Sequence, residues 1–274
     1  MKTVSLSGTN LRTSRLGFGT SGLHQLIGSR SRQDLLSAAY DLGVRHFDTS
    51  PYYGHGIGEG ELGRFTRKRR GEILIATKFG IQPNLLFARF PGLMYARLAV
   101  NAVQRKWSRR NLLTFVPNRD YGAREARFSL ERSLRALGTD HVDIYFLHEP
   151  ILDALCGGDE LVSTLEQLRQ QGKTRYIGLA GAVLDCIDIA RRYPPLAQII
   201  QIGAAPGERA AQMLAAAALP CHFSFGHFRD KNAPMNALLA SAVQHFPEGV
   251  LLYSSRRKTR WAEMVAQLSE VEPR

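Results

Sequence analysis

The sequence predicts an α/β fold, a (β/α)8 TIM barrel, from three observations. Short β-branched or aliphatic runs alternate with longer stretches of helical period. Eight such pairs fill the chain, which is the count of a barrel of about 250 residues. The leading KTVSLSGTNLR, ahead of the first pair, predicts a short N-terminal hairpin closing the barrel's bottom. An open doubly wound sheet is the alternative architecture.

The strand candidates, in order, are SRLGFG (14–19), VRHFDT (44–49), ILIATK (73–78), VDIYFL (142–147), TRYIGL (174–179), AQIIQI (197–202), PCHFSF (220–225) and GVLLYS (249–254). The helical stretches between them are RQDLLSAAYDLG, GEGELGRFTRKRR, AREARFSLERSLRALG, DELVSTLEQLRQQG, VLDCIDIARRY, GERAAQMLAAAA and MNALLASAVQHF, and KTRWAEMVAQLSEV follows the last strand. One region is irregular: a long loop after the third strand, 80–121, where most strand-to-helix connections take about 2–6 residues. In a barrel it stands at the C-terminal face, where substrates bind. The whole chain, 1–274, reads as a single domain.

Composition narrows the function classes. The chain is 44% hydrophobic and 22% charged, without low-complexity segments, which excludes a disordered chain. Its N-terminus has no apolar run of signal-peptide length, and the most apolar stretch, 85–100, is broken by Arg89, Pro91 and Arg97. Cys156, Cys186 and Cys221 form no disulfide or zinc pattern, so a cytoplasmic protein with reduced thiols is expected, and no metal. The net charge of +12 owes much to RFTRKRR (64–70) and RKWSRR (105–110). The first suits the cation-favouring end of a helix, and no recognition motif accompanies either, so no nucleic acid is expected.

Chemistry gathers at the strand ends. The second strand ends at Asp48 with Tyr53 just beyond, the third at Lys78, and the fourth runs into His148. Each residue alone has a structural explanation, but adjacent barrel strands point their C-terminal ends at one pocket. An ammonium there would lower a phenol's pKa from about 10 towards that of a useful proton donor. Asp48 would keep Lys78 charged, and His148 would orient a substrate oxygen. A proton-donating tyrosine suits carbonyl reduction, for which a cofactor must supply the hydride. The six residues GEGELG (58–63) match a dinucleotide-binding glycine pattern, but the strand before them ends ten residues earlier and the next ends in Lys78. They read as a glycine-rich turn leading into a helix.

FDTSPYYGHGIGEGELG, with IATKFG (75–80) and YFLHEP (145–150), resembles the aldo-keto reductases, NADP(H)-dependent oxidoreductases on a (β/α)8 barrel. The resemblance implies Tyr53 as general acid, Lys78 and Asp48 as its tuning pair and His148 as the positioner of the carbonyl. It further implies that Gln201 bonds the nicotinamide carboxamide, that Phe223, with Ser224 beside it, stacks on the ring, and that Ser255, Arg256, Arg257 and Arg260 hold the adenosine 2′-phosphate. A small carbonyl or sugar substrate and a monomer are expected. The chain departs from the family in three places. Ala180 and Gly181 replace Ser-Asn on the fifth strand, Gly58 replaces a serine read as a helix cap, and the loop after the seventh strand, SFGHFRDKN, is short. These losses leave open a redox-silent binding protein. The long loop allows a second alternative, contact with an anionic membrane surface through Phe87, Phe90, Leu93, Met94, Tyr95, Leu98 and Val100, interleaved with Arg89, Arg97, Arg105 and Arg109. A lid whose apolar residues pack on the barrel and cover the substrate is the preferred reading of the same loop.

Overall fold

The computed structural model describes residues 1–104, 116–155, 157–203, 207–228, 230 and 232–272. An antiparallel hairpin, β1 (Thr3–Ser5) and β2 (Arg12–Ser14), leads into the barrel strands. These are β3 (Leu16–Gly19), β4 (His46–Asp48), β5 (Leu74–Phe79), β6 (Val142–His148), β7 (Thr174–Gly181), β8 (Ile199–Gly203), β9 (Phe223–Phe225) and β10 (Val250–Tyr253). All pair in parallel with their sequence neighbours, and β10 closes on β3. Helices α1 (Ser29–Asp41) and α2 (Ile57–Thr66) follow β3 and β4. Between β5 and β6 come α3 (Leu85–Arg89), α4 (Pro91–Gln104) and α5 (Ala123–Leu137). The remaining strands are each followed by one helix: α6 (Gly158–Gln170), α7 (Val183–Arg192), α8 (Gly207–Ala216), α9 (Met235–His245) and α10 (Lys258–Val271).

The two-residue period of the strands sorts the side chains into two cores. Phe47, Ile75, Tyr145, Leu147, Ile200 and Ile202 face the helix shell. Ala76, Ile144, Phe146, Ile199, Phe223 and Val250 fill the barrel's interior, and Val4, Leu6 and Leu11 of the hairpin seal its lower end. Alternate positions nearer the C-terminal ends of the same strands are polar: Asp48, Lys78, His148 and Gln201, all buried. The interior is therefore apolar at the bottom and ionisable at the top, which is what places a site there.

Two close approaches fix the shell and the closure. A Cβ on Gly63 of α2 would lie 2.5 Å from the Ala136 carbonyl oxygen, so glycine is what lets α2 and α5 touch. Arg15, fully buried, donates through Nε to Glu272 at 3.1 Å and through its guanidinium to the Gly249 carbonyl. That contact ties the start of the first barrel strand to the end of the last helix.

The described part of the segment after β5 holds two helices, α3 and α4. Asn84 caps α3, its Oδ1 accepting from the amides of Leu86 and Phe87 at 2.9 and 3.2 Å. Residues 105–115, with the basic cluster at 105–110, lie outside the described residues, as does Cys156. Cys186 and Cys221 are free thiols. Of the other basic cluster, Arg69 donates to the Phe65 carbonyl at the end of α2, as a helix-terminal cation should. No described helix is long and apolar enough to cross a membrane.

Candidate active site

Asp48, Tyr53, Lys78 and His148 meet on the wall of one cavity of about 560 Å³. The Lys78 ammonium donates to Asp48 Oδ1 at 2.5 Å and to the Thr49 carbonyl at 3.0 Å, with both side chains buried. It also stands over the ring of Tyr53, 4.9 Å from the centroid. The rings of Tyr53 and His148 lie edge to face, 5.5 Å apart. The His148 Nδ1 is 3.2 Å from Ser50 Oγ. Backbone geometry presents the tyrosine: Gly54 (φ 62°) and His55 (φ 53°) are left-handed and turn the chain sharply behind it. A Cβ on Gly54 would lie 2.4 Å from His24 Cβ, so this glycine serves the turn and not a phosphate.

Electrostatics correct one expectation. Burial, then the charges of Asp48 and Glu149, hold the Tyr53 phenol well above its ordinary value instead of lowering it. The neighbouring pair is shifted by burial too: burial lowers the Lys78 pKa while Asp48 opposes this, and burial raises that of Asp48 while Lys78 and Gln201 oppose it. Burial, then Lys78 and Arg119, pushes His148 well below 6.5. The site thus holds a protonated phenol beside a neutral imidazole.

A second cavity of about 320 Å³ adjoins it, with Gly19, Ser21, Ser254 and Arg260 common to both walls. Ser255, Arg256, Arg257 and Arg260 line this outer space together at the start of α10. Gln201 lines the inner cavity, and its Oε1 is buried with no hydrogen-bond partner among the described residues. Phe223 and Ser224 fall elsewhere. Phe223 is buried in the interior core, 4.4 Å from His46 and 6.1 Å from Phe146, centroid to centroid. Ser224 points the opposite way and bonds His227 at 2.8 Å. Phe225, on the same face as Phe223 and one layer higher, is the aromatic residue of β9 that lines the cavity.

The departures also look different in three dimensions. The cap of α2 is Gly56 (φ 99°), so a serine at 58 would cap nothing. A Cβ on Gly58 would lie 3.2 Å from the Tyr53 carbonyl, Thr20 Oγ1 and Thr49 Oγ1, a contact that favours glycine. Ala180 lines the cavity, whereas a Cβ on Gly181 would lie 3.3 Å from Glu149 Cα and 3.4 Å from Pro150 Cδ. The turn after His148 therefore occupies part of the space a longer side chain at 181 would use.

Several lining residues carry no motif. Arg119 donates to the Glu149 carbonyl and carboxylate, both at 2.8 Å, and both residues face the cavity. Tyr121 donates to the carbonyls of His148 and Glu149 at 2.7 Å, and Glu149 adopts φ 49°. A positive φ has no signature in the sequence unless glycine supplies it. Ser50, by contrast, directly follows Asp48-Thr49 and could have been paired with His148 by strand order.

Residues 15–215 match the model of the Aldo/keto reductase family. Over 202 residues the chain is 30% identical to L-galactose dehydrogenase of Arabidopsis thaliana, a stretch covering 70% of this chain and 52% of that protein. It is 30% identical over 200 residues to D-threo-aldose 1-dehydrogenase of Pseudomonas sp, covering 69% and 56%. The chain thus spans about half the length of these curated relatives. A solved structure from Pseudomonas aeruginosa, described as an aldo-keto reductase, shares the fold with a TM-score of 0.74 at 23% identity, over 98% of this chain and 95% of that one. With most of its length matched by the family's model and its barrel by the family's fold, the chain belongs to the aldo/keto reductase family.

Proposed function

We propose that this chain is an NADP(H)-dependent oxidoreductase that interconverts a sugar or small-aldehyde carbonyl and its alcohol, with Tyr53 as general acid. The observation that carries the reading is the adjacency of two cavities: the inner bears Tyr53, Lys78, Asp48 and His148, the outer Ser255, Arg256, Arg257 and Arg260. Guanidinium groups bind phosphate bidentately, which supports NADP(H) over NAD(H). Gln201 fits a carboxamide, whose N–H would satisfy the orphaned Oε1. Phe225, and not Phe223, has the position to cover the nicotinamide ring.

When bound, the cofactor supplies the hydride that adds to the carbonyl carbon. Tyr53 gives its proton to the oxygen as negative charge develops there. With Nδ1 accepting from Ser50, neutral His148 keeps its Nε2–H as the donor that aligns that oxygen. The Lys78 ammonium, held by Asp48 and the Thr49 carbonyl over the ring face, steadies the phenolate that remains until solvent reprotonates it. Alcohol oxidation runs the same transfers backwards. A sugar substrate is supported by the names of the two dehydrogenase relatives and by the Arg119–Glu149 pair, whose donors and acceptors suit hydroxyl groups.

Titrating NADPH and NADH into the protein, then assaying a panel of aldoses and reactive aldehydes in both directions, tests the proposal. NADPH is expected to bind more tightly and at least one aldehyde to be reduced. NADPH binding without turnover on the whole panel would favour a redox-silent binder, and absence of cofactor binding would remove the roles given to Arg256 and Arg260.

A further inference from the structure

A surface helix ordinarily turns its apolar stripe inward and its charges to water. Helix α4 does otherwise. Met94 is buried and Tyr95 half-buried against the body of the protein, Tyr95 donating to the His24 carbonyl at 3.0 Å. On the outside, Leu93, Ala96 and Val100 follow one another at helical spacing, all exposed. Leu85, Leu86 and Phe90 of the preceding turn, just before it in the chain, are exposed as well. Exposed apolar residues scattered singly need no explanation, whereas a contiguous row does.

The helix is held with this face outward. Phe87 packs on His55 at 5.3 Å, centroid to centroid, and Arg97 stacks over Phe87 at 5.1 Å. None of the residues 85–100 lines the catalytic cavity; Ile81, Pro117 and Arg119, which flank the segment, do. Within the long loop, then, it is the two ends that face the cavity, and α3 and α4 stand away from it.

Charge decides what would cover the face. Between Glu72 and Asp120 the chain has no acidic residue, and of the two arginines of the described helices Arg89 is exposed while Arg97 is half-buried against Phe87. A second copy bringing the same acid-free face would offer Arg89 no counter-charge. An anionic bilayer supplies both partners: phosphates for Arg89 and an acyl boundary for the apolar row. We propose that α3 and α4 dock peripherally on an anionic phospholipid surface, lying in its plane.

Sedimentation of the full chain with vesicles tests this. The account expects several-fold more protein bound to phosphatidylcholine vesicles containing phosphatidylglycerol than to phosphatidylcholine alone, with the difference reduced by added salt. Leu93→Glu with Val100→Glu should lower the bound fraction about tenfold while the unfolding midpoint stays put. Ala96→Glu, on the same row, should act in the same direction if the double variant folds poorly. Equal binding to both vesicle types, no binding to either, or indifference to these substitutions would overturn the proposal. So would a dimer in light scattering that Leu93→Glu dissociates, since the face would then belong to a second copy.

Discussion

Lys78 reaches Asp48, the Thr49 carbonyl and the face of Tyr53 from one fully buried position, so its charge is shared before any substrate arrives. Replacing it by Met would strand the buried Asp48 carboxylate, a loss of about 3–5 kcal/mol in urea unfolding. The pH dependence of catalysis follows from the two neighbours. His148 is displaced below 6.5 and Tyr53 above 10.0, so neither changes protonation between these values. Neither group should therefore add an inflection to kcat/KM for reduction inside that window, and an inflection near 6.5 would show that His148 titrates. Ala180→Ser restores a hydroxyl at the cavity wall and should tighten NADPH severalfold to about tenfold in a fluorescence titration, as one added hydrogen bond allows. At this scale the sequence was informative where a residue type is chemically committed, as at Asp48, Tyr53, Lys78 and His148. It misled at Phe223 because two phenylalanines share one strand face, and a two-residue step changes depth without changing side.

Among the elements, the contact of α2 with α5 rests on the absence of a side chain. Gly63→Ala puts a methyl group within 2.5 Å of the Ala136 carbonyl oxygen and 2.7 Å of the Leu137 backbone. Backbone cannot rotate away, so the helices must part; a cost of about 1–3 kcal/mol is expected in thermal unfolding. All eight barrel strands were legible because each is a short run rich in aliphatic or aromatic residues, and the shell helices because their apolar positions recur with helical period. Helices α3 and α4 were not, for a reason the structure makes plain: the apolar residues of α4 are split between an inner face with Met94 and an outer one with Leu93 and Val100, and Pro91 separates it from α3. A pattern that does not point to the core does not read as a core helix.

The barrel as a whole carries a buried histidine that weakens it in acid. His46 sits in the interior against Phe223 with both ring nitrogens unpartnered among the described residues, and burial, then Lys78, lowers its pKa to about 3. Its folded value lies below the unfolded 6.5, so its contribution is complete above 6.5 and is lost as the pH falls from 6.5 towards 3. By about pH 5 this one group should cost about 2 kcal/mol. Denaturant unfolding at neutral and acidic pH checks it: His46→Phe should lose about 2 kcal/mol less than the wild type over that interval. At this scale the fold followed from counting strand–helix pairs, whereas the sharing of lining residues between the inner and outer cavities has no linear signature, since Gly19, Ser21 and Arg260 are brought together only when β10 closes on β3. The central claim is that these adjoining cavities serve hydride and proton transfer with Tyr53 as the acid. Following NADPH oxidation by the wild type and by Tyr53→Phe with the best aldehyde of the panel tests it most directly. The account predicts turnover by the wild type and a loss of about 10²–10⁴-fold in the variant with NADPH affinity unchanged; a variant that oxidises NADPH as fast as the wild type would contradict it.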